Sequence, residues 1–175
     1  MEGQAGPRSI TMVAHNSHLL WHLNGNQTAN DTAVTQYHDD RLLSSRWILD
    51  FIGTNPQGRP LYRLINAAAH KCLDVNSGQR SGVGDYLNIW DCHYRDGHPA
   101  PCDYQHDTQN FVIAHPGSRF PNLTVIRDNA TGLYANIFDN STREGAPVIQ
   151  YPYQHQAELF DLVANEMFFL PPTIP

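Results

Sequence analysis

Apolar positions along the chain alternate with polar ones over short stretches, and none recurs at the 3.6-residue period of an amphipathic helix. Three 14-residue segments align without gaps: residues 10–23 (ITMVAHNSHLLWHL), 62–75 (YRLINAAAHKCLDV) and 124–137 (TVIRDNATGLYANI). Each predicts an apolar strand, a small polar turn and a second apolar strand. A second block follows each: residues 32–40, 85–93 and 146–154, in which alternating apolar residues lead into Tyr37, Trp90 or Tyr151. A third block closes each unit, over residues 46–52, 110–116 and 159–165, opening on Trp47, Phe111 or Phe160. These last three aromatics are expected to be equivalent core residues.

Three copies of about four short strands predict an all-β chain, a β-trefoil in which a six-stranded barrel closes on itself and three hairpins cap one end. The expected organisation is one domain over residues 8–165. Repeat one covers about 8–58, repeat two about 59–119, and repeat three about 120–165, with 166–175 as a C-terminal tail. The spacing from Tyr37 to Trp47 is 10 and from Tyr151 to Phe160 is 9, but from Trp90 to Phe111 it is 21. Repeat two therefore carries an inserted loop over residues 94–107, whose Gly, Pro and Asp content predicts a surface position. The tail holds Met167, Phe168 and Phe169. Its two readings are a strap packed on the trefoil and an exposed apolar contact for a homodimer.

Composition narrows the classes. Only 16% of residues are charged, yet mean hydropathy is −0.46, so the polarity comes from uncharged groups. A formal charge of −6 argues against a general nucleic-acid binder. No apolar run is long enough to span a bilayer, so no membrane insertion is expected. The first residues lack the basic and apolar regions of a secretory signal, which leaves a cytoplasmic chain or one secreted without a visible signal. Five Asn-x-Ser/Thr sequons begin at Asn26, Asn30, Asn122, Asn129 and Asn140, which read most simply as turn residues. Three cysteines, Cys72, Cys92 and Cys102, admit one disulfide and a free thiol, or three free thiols. His93, His98 and His106 lie near Cys92 and Cys102, but the spacing is not that of a zinc site. No nucleophile elbow, zincin helix or phosphate loop occurs, so no enzyme activity and no cofactor are expected.

Repeat two runs Cys72-Leu73-Asp74-Val75, then a glycine-rich turn through Gly78, Gly82 and Gly84, then Leu87-Asn88-Ile89-Trp90-Asp91-Cys92, then Gln109-Asn110-Phe111. This order resembles the ricin B-chain type of carbohydrate-binding trefoil, and repeat three, with Gly145 to Tyr151, is similar to the variant found in mushroom lectins. The resemblance spans roughly residues 8 to 165. The closing Gln-x-Trp motif of that family stands here as Ser45-Arg46-Trp47, Gln109-Asn110-Phe111 and Glu158-Leu159-Phe160. The resemblance implies a lectin for galactose, N-acetylgalactosamine or related glycans. It also implies a Cys72–Cys92 disulfide, against which Cys92–Cys102 remains open.

A pyranose offers hydroxyls on its edge and axial C–H bonds on one face. A site for it needs a carboxylate or amide plus an aromatic ring. By the resemblance, Asp74 would hold a pair of vicinal hydroxyls and Trp90 would be the stacking platform. Asn88 would hydrogen-bond the sugar, Thr108 stands where a second amide is expected, and Gln109 would orient Asp74. Repeat three offers Asn136 with Tyr151, and repeat one offers His22 with Tyr37. The competing reading is a trefoil that binds a protein through its loops, as protease inhibitors and accessory subunits of this fold do. The Asp74, Asn88 and Trp90 set favours the lectin; the insert favours the protein contact.

Overall fold

The computed structural model describes residues 9–76, 78, 81–95, 98–99, 107–115, 122–154, 166 and 168–170. Among them are fifteen strands. Repeat one contributes β1 (Ser9–Ile10), β2 (Val13–Ala14), β3 (Leu20–Leu23), β4 (Thr32–Tyr37) and β5 (Trp47–Thr54). Repeat two contributes β6 (Pro60–Asn66), β7 (Cys72–Val75), β8 (Leu87–Trp90), a small antiparallel pair β9 (Tyr94–Arg95) and β10 (His98–Pro99), and β11 (Phe111–Ala114). Repeat three contributes β12 (Val125–Asp128), β13 (Tyr134–Ile137), β14 (Val148–Tyr151) and β15 (Phe168–Phe169). No helix among the described residues is long and apolar enough to cross a membrane.

The barrel closes as a ring of antiparallel contacts. β1 pairs with β5, β5 with β6, β6 with β11, β11 with β12, and β15 with β2, while Thr124 and Phe168 form the bridge between β12 and β15. Among the described residues, closure leaves no unpaired barrel edge. The cap consists of β3–β4, β7–β8 and β13–β14, and the three pairs share one register. Leu20 faces Tyr37, Cys72 faces Trp90, and Tyr134 faces Tyr151.

The alternation in sequence explains this packing, because successive strand residues point to opposite faces. Leu73, Val75, Leu87 and Ile89 turn inward to the core, while Cys72, Asp74, Asn88 and Trp90 share the outer face. Met12, Leu64 and Ile126 are fully buried at equivalent positions, as are Trp47 and Phe111 to within 1%. Trp21, Leu73 and Ala135 also correspond, and their unequal volumes are balanced locally: the Trp21 ring meets Phe168 edge-on at 5.0 Å.

Phe160 lies outside the described residues. The register position equivalent to Trp47 and Phe111 is occupied by Phe168. Trp47 pairs with Ile10 and Asn66, Phe111 with Tyr62 and Asp128, and Phe168 with Thr124 and Ala14. Phe168 is fully buried in the main core. Part of the stretch read as a tail is thus the closing strand of the barrel. The connection from Tyr151 to Phe168 is long, as the one from Trp90 to Phe111 is.

Candidate functional site

Repeat two builds its outer face on β7 and β8, which are tied by a Cys72–Cys92 disulfide with Cα atoms 5.0 Å apart. Cys102 lies outside the described residues. Asp74 stands directly opposite Asn88. The residue is 94% buried, and its carboxylate is well supported by the chain. Thr108 Oγ1 donates to Oδ1 at 2.5 Å, the Val75 backbone N–H donates to Oδ1 at 2.7 Å, and Gln109 Nε2 donates to Oδ2 at 2.8 Å. A carboxylate has about four lone-pair directions. Three are used, so the remaining one is on Oδ2.

Asn88 is also buried, with its amide orientation set by Nδ2 donating to Asp31 Oδ1 at 2.8 Å. Its Oδ1, shielded from solvent in the unbound chain, meets no donor among the described residues. Tyr86 donates to the same Asp31 oxygen. Asp31 comes from repeat one, because the backbone N–H of Asp31 pairs with the Ile89 carbonyl and β4 pairs with β8. Beside this lies Trp90, 43% exposed and the most exposed of the tryptophans. Asp91 next to it is held by Lys71 and by Asn30, which keep its carboxyl below the usual range.

Support runs deeper through β11. Gln109 is fully buried; its Oε1 accepts the His93 backbone N–H, and its Nε2 also reaches the Asp91 carbonyl at 3.1 Å. Asp107 accepts the Gln109 backbone N–H and contacts His93 and the buried Arg63. Burial pushes the Asp107 carboxyl up, but the hydrogen bonds from His93 and the Gln109 backbone outweigh it, and the pKa lies below the usual value. The hydrogen bond to Asp107 correspondingly raises His93. An ionised Asp107 fixes the stretch that carries Thr108 and Gln109. Thr108, placed by sequence where a second amide is expected, lies with Gln109 behind Asp74, and both donate to its carboxylate.

Repeat three repeats the frame with other chemistry. Asn136 takes the place of Asp74, Ile149 that of Asn88, and Tyr151 that of Trp90. These residues line a cavity of about 330 Å3 together with Phe138, Asp139, Asn140 and Gln154. Its size falls within the usual range for small-ligand sites, on the order of 300–1,000 Å3. Asp139 brings a carboxylate from the turn after β13, at a backbone φ of +55°, where no repeat-based reading looked for one. The buried Glu166 accepts the Gln154 backbone N–H, as Gln109 accepts that of His93. Glu166-Met167-Phe168 is therefore the repeat-three counterpart of Gln109-Asn110-Phe111. The residues named for that role from sequence, Glu158 and Phe160, lie outside the described residues.

Repeat one turns its chemistry inward. His22, at the Asp74 position, contacts the Leu23 carbonyl through Nδ1 and both Asp40 and Ser44 through Nε2. Both ring nitrogens are engaged within the protein, and Tyr37 lies beside the imidazole with ring centroids 5.2 Å apart. Among the described residues no group of three or more His, Cys, Asp or Glu side chains is placed to hold a metal ion.

Comparison with known proteins agrees with this fold. The sequence matches the family described as ricin-type beta-trefoil lectin domain-like over residues 2–90 and again over 43–151. No curated protein matches the sequence. Among solved structures, the chain is similar to the designed 3-fold symmetric protein ThreeFoil, with a TM-score of 0.72, 22% identity, and coverage of 93% of this chain and 96% of that one. It is similar to the Macrolepiota procera ricin B-like lectin in complex with lactose, at a TM-score of 0.65 and 10% identity, over 95% and 97% of the two chains. It is also similar to the C-half of the earthworm R-type lectin in complex with GalNAc, at a TM-score of 0.60 and 9% identity, over 95% and 100%.

Proposed function

The chain belongs to the ricin-type β-trefoil lectin domain-like family, and from that premise we propose that it is a non-enzymatic lectin for galactose- or N-acetylgalactosamine-type glycans, binding through repeats two and three. The observation that carries this reading is the outer face of repeat two. A buried, pre-oriented carboxylate at Asp74 stands opposite an amide oxygen of Asn88 that has no protein donor, beside the exposed ring of Trp90. Buried acceptors without partners are rare, and a sugar hydroxyl is a fitting donor.

In this reading one hydroxyl donates to the open direction of Asp74 Oδ2 and a neighbouring one to Asn88 Oδ1. The pair of vicinal hydroxyls is shared between the two side chains, since Asp74 alone has one direction left. Trp90 covers the apolar face of the ring and shields both bonds from water. Thr108 and Gln109 cost the ligand nothing, because they have already fixed Asp74 before binding. In repeat three, Asn136 and Asp139 supply the polar contacts and Tyr151 the platform. Repeat one is left out, since both His22 nitrogens already have partners. The lactose and GalNAc bound in two of the similar structures support the galactose class. Two weak sites on one rigid body strengthen attachment to clustered glycans by avidity.

A glycan array tests the proposal with the wild type beside Asp74→Asn and Trp90→Ala. Galactose-terminated glycans should bind the wild type and lose most of their signal in both variants. A wild type that binds no glycan overturns the reading in favour of a protein-binding trefoil. Full signal in both variants moves the site to Asn136, Asp139 and Tyr151.

A further inference from the structure

The turn between β5 and β6 leans against repeat three, outside every site considered so far. Between them lies an open cleft of about 570 Å3, lined by Arg59, Arg127, Asn55, Gln57, Asn129 and Tyr134 among others. A second cavity of about 450 Å3 shares Arg59 and Tyr134 with it and continues to His115 and Tyr153. No acidic side chain is among the residues lining either one. In a chain of net charge −6, two arginines therefore line one cleft whose described lining carries no carboxylate.

Three other described basic residues stand in ion pairs: Arg46 with Asp39, Arg63 with Asp107, and Lys71 with Asp91. Neither Arg59 nor Arg127 belongs to an ion pair among the described residues. Among the described residues the Arg127 side chain makes one hydrogen bond, from Nε to the Gly132 carbonyl at 3.3 Å, which leaves its terminal nitrogens for another partner. Gly132 permits this placement. Its φ is +75°, and a Cβ there would meet the Arg127 guanidinium at 3.1 Å.

The walls of the cleft are fixed. Asn55 is 95% buried, and its Oδ1 accepts the backbone N–H groups of Gln57 and Arg59, while its Nδ2 donates to Asn129 Oδ1 at 3.1 Å. One side chain thus shapes the turn that carries Arg59 and pins it to the turn that follows Arg127. Tyr134 stacks near Tyr153 with centroids 4.8 Å apart. Tyr134 also precedes Asn136 by two residues on the same face of β13, so the cleft adjoins the repeat-three cavity.

We infer that this cleft is a second saccharide subsite, specific for an acidic sugar whose carboxylate or sulfate is held between Arg59 and Arg127. Planar guanidinium groups bind such oxyanions through paired, charge-assisted hydrogen bonds. The Gln57 amide and the Tyr134 ring suit the hydroxyls and C–H face of the same sugar. A neutral residue in the repeat-three cavity then continues into an acidic one in the cleft. The saccharide part of this inference rests on the lectin reading; the oxyanion part rests on the arginines.

Calorimetric titration of the full chain tests it with lactose, sialyllactose, a sulfated lactose, and sodium sulfate alone. The proteins are the wild type, Arg59→Gln with Arg127→Gln, and Trp90→Ala with Asn136→Ala. The wild type should bind an acidic saccharide more tightly than lactose, and added salt should reduce that advantage. The arginine variant should lose roughly tenfold or more for the acidic ligand and nothing for lactose. Whichever of the sialylated and sulfated ligands binds more tightly identifies the oxyanion. Equal affinity for acidic and neutral saccharides, or an arginine variant that keeps the difference, overturns the inference while leaving the lectin reading intact. Sulfate alone binding as tightly as the acidic saccharide overturns the sugar part. Acidic ligands binding through the arginines while lactose binds nowhere would support the subsite and overturn the repeat sites.

Discussion

Repeats two and three share a frame and differ in what they present on it. Cys72 opposite Trp90 and Tyr134 opposite Tyr151 occupy one register, and Gln109 and Glu166 receive the same backbone N–H behind them. Yet repeat two aims a triply supported carboxylate outward, whereas repeat three has an amide at that point and takes its carboxylate from Asp139. Repeat one keeps the frame and buries the chemistry, with His22 satisfied by its own chain. The barrel register is set by inward residues and the binding chemistry by outward ones. Strand alternation keeps the two sets separate, so one can change without the other.

The largest expected effect tests the frame. Phe168→Ala should cost about 3–5 kcal/mol, as Phe111→Ala should, because each empties an equivalent core position. Urea unfolding measures both; a Phe168 cost below about 1 kcal/mol would mean that β15 does not close the barrel. The disulfide comes next, since it belongs to repeat two alone among the described residues. Replacing Cys72 and Cys92 by Ala should lower stability by about 3 kcal/mol, the value for a closed loop of this length. Reductant should reproduce the loss in the wild type.

A smaller effect separates repeats two and three at the first strand of each. Asn66 and Asp128 are equivalent, and each caps the following turn, with Asn66 Oδ1 accepting from Ala68 and Ala69 and Asp128 Oδ1 accepting from Ala130. Asn66 also donates to the Ser44 carbonyl, which an ionised carboxylate cannot do. Burial raises Asp128 from 3.8 to about 7. The folded state therefore holds a proton that the unfolded state releases between those values. Stability should fall as pH rises through that window and level off above it. Asp128→Asn should be neutral near pH 4 and stabilise by roughly 1–2 kcal/mol at pH 8. Thermal melts across pH measure this; a variant destabilised at pH 8 would contradict it. The smallest effect is a gain: Asn136→Asp should tighten galactoside binding at repeat three by roughly 1 kcal/mol, through a charge-assisted bond.

Much of the frame was legible from alternation and repeat spacing, which depend on local pattern. Trp47, Phe111, Asp74, Asn88 and Trp90 fall at the positions that the aligned units predict. The third core aromatic was not legible, because the stretch at 159–165 imitates the closing block. The true counterpart, Glu166-Met167-Phe168, carries a carboxylate where the motif has an amide. Thr108 stands where an amide is expected, and its support of Asp74 is visible only in the fold, whereas the resemblance already implied that Gln109 orients Asp74. Asp31 and the Arg59–Arg127 cleft were hidden for a further reason: each joins residues from two repeats. A reading made unit by unit does not see such contacts.

In the proposed lectin Trp90 is the sugar platform, while the other two tryptophans belong to the frame. Trp21 and Trp47 are fully buried, and Trp90 is 43% exposed. The three indole N–H signals in a 1H–15N spectrum therefore report frame and face separately during a lactose titration. The account predicts that the Trp90 signal, assigned by its loss in Trp90→Ala, shifts in a saturable way while those of Trp21 and Trp47 hold still. A titration in which lactose binds and the Trp90 indole does not move would contradict it.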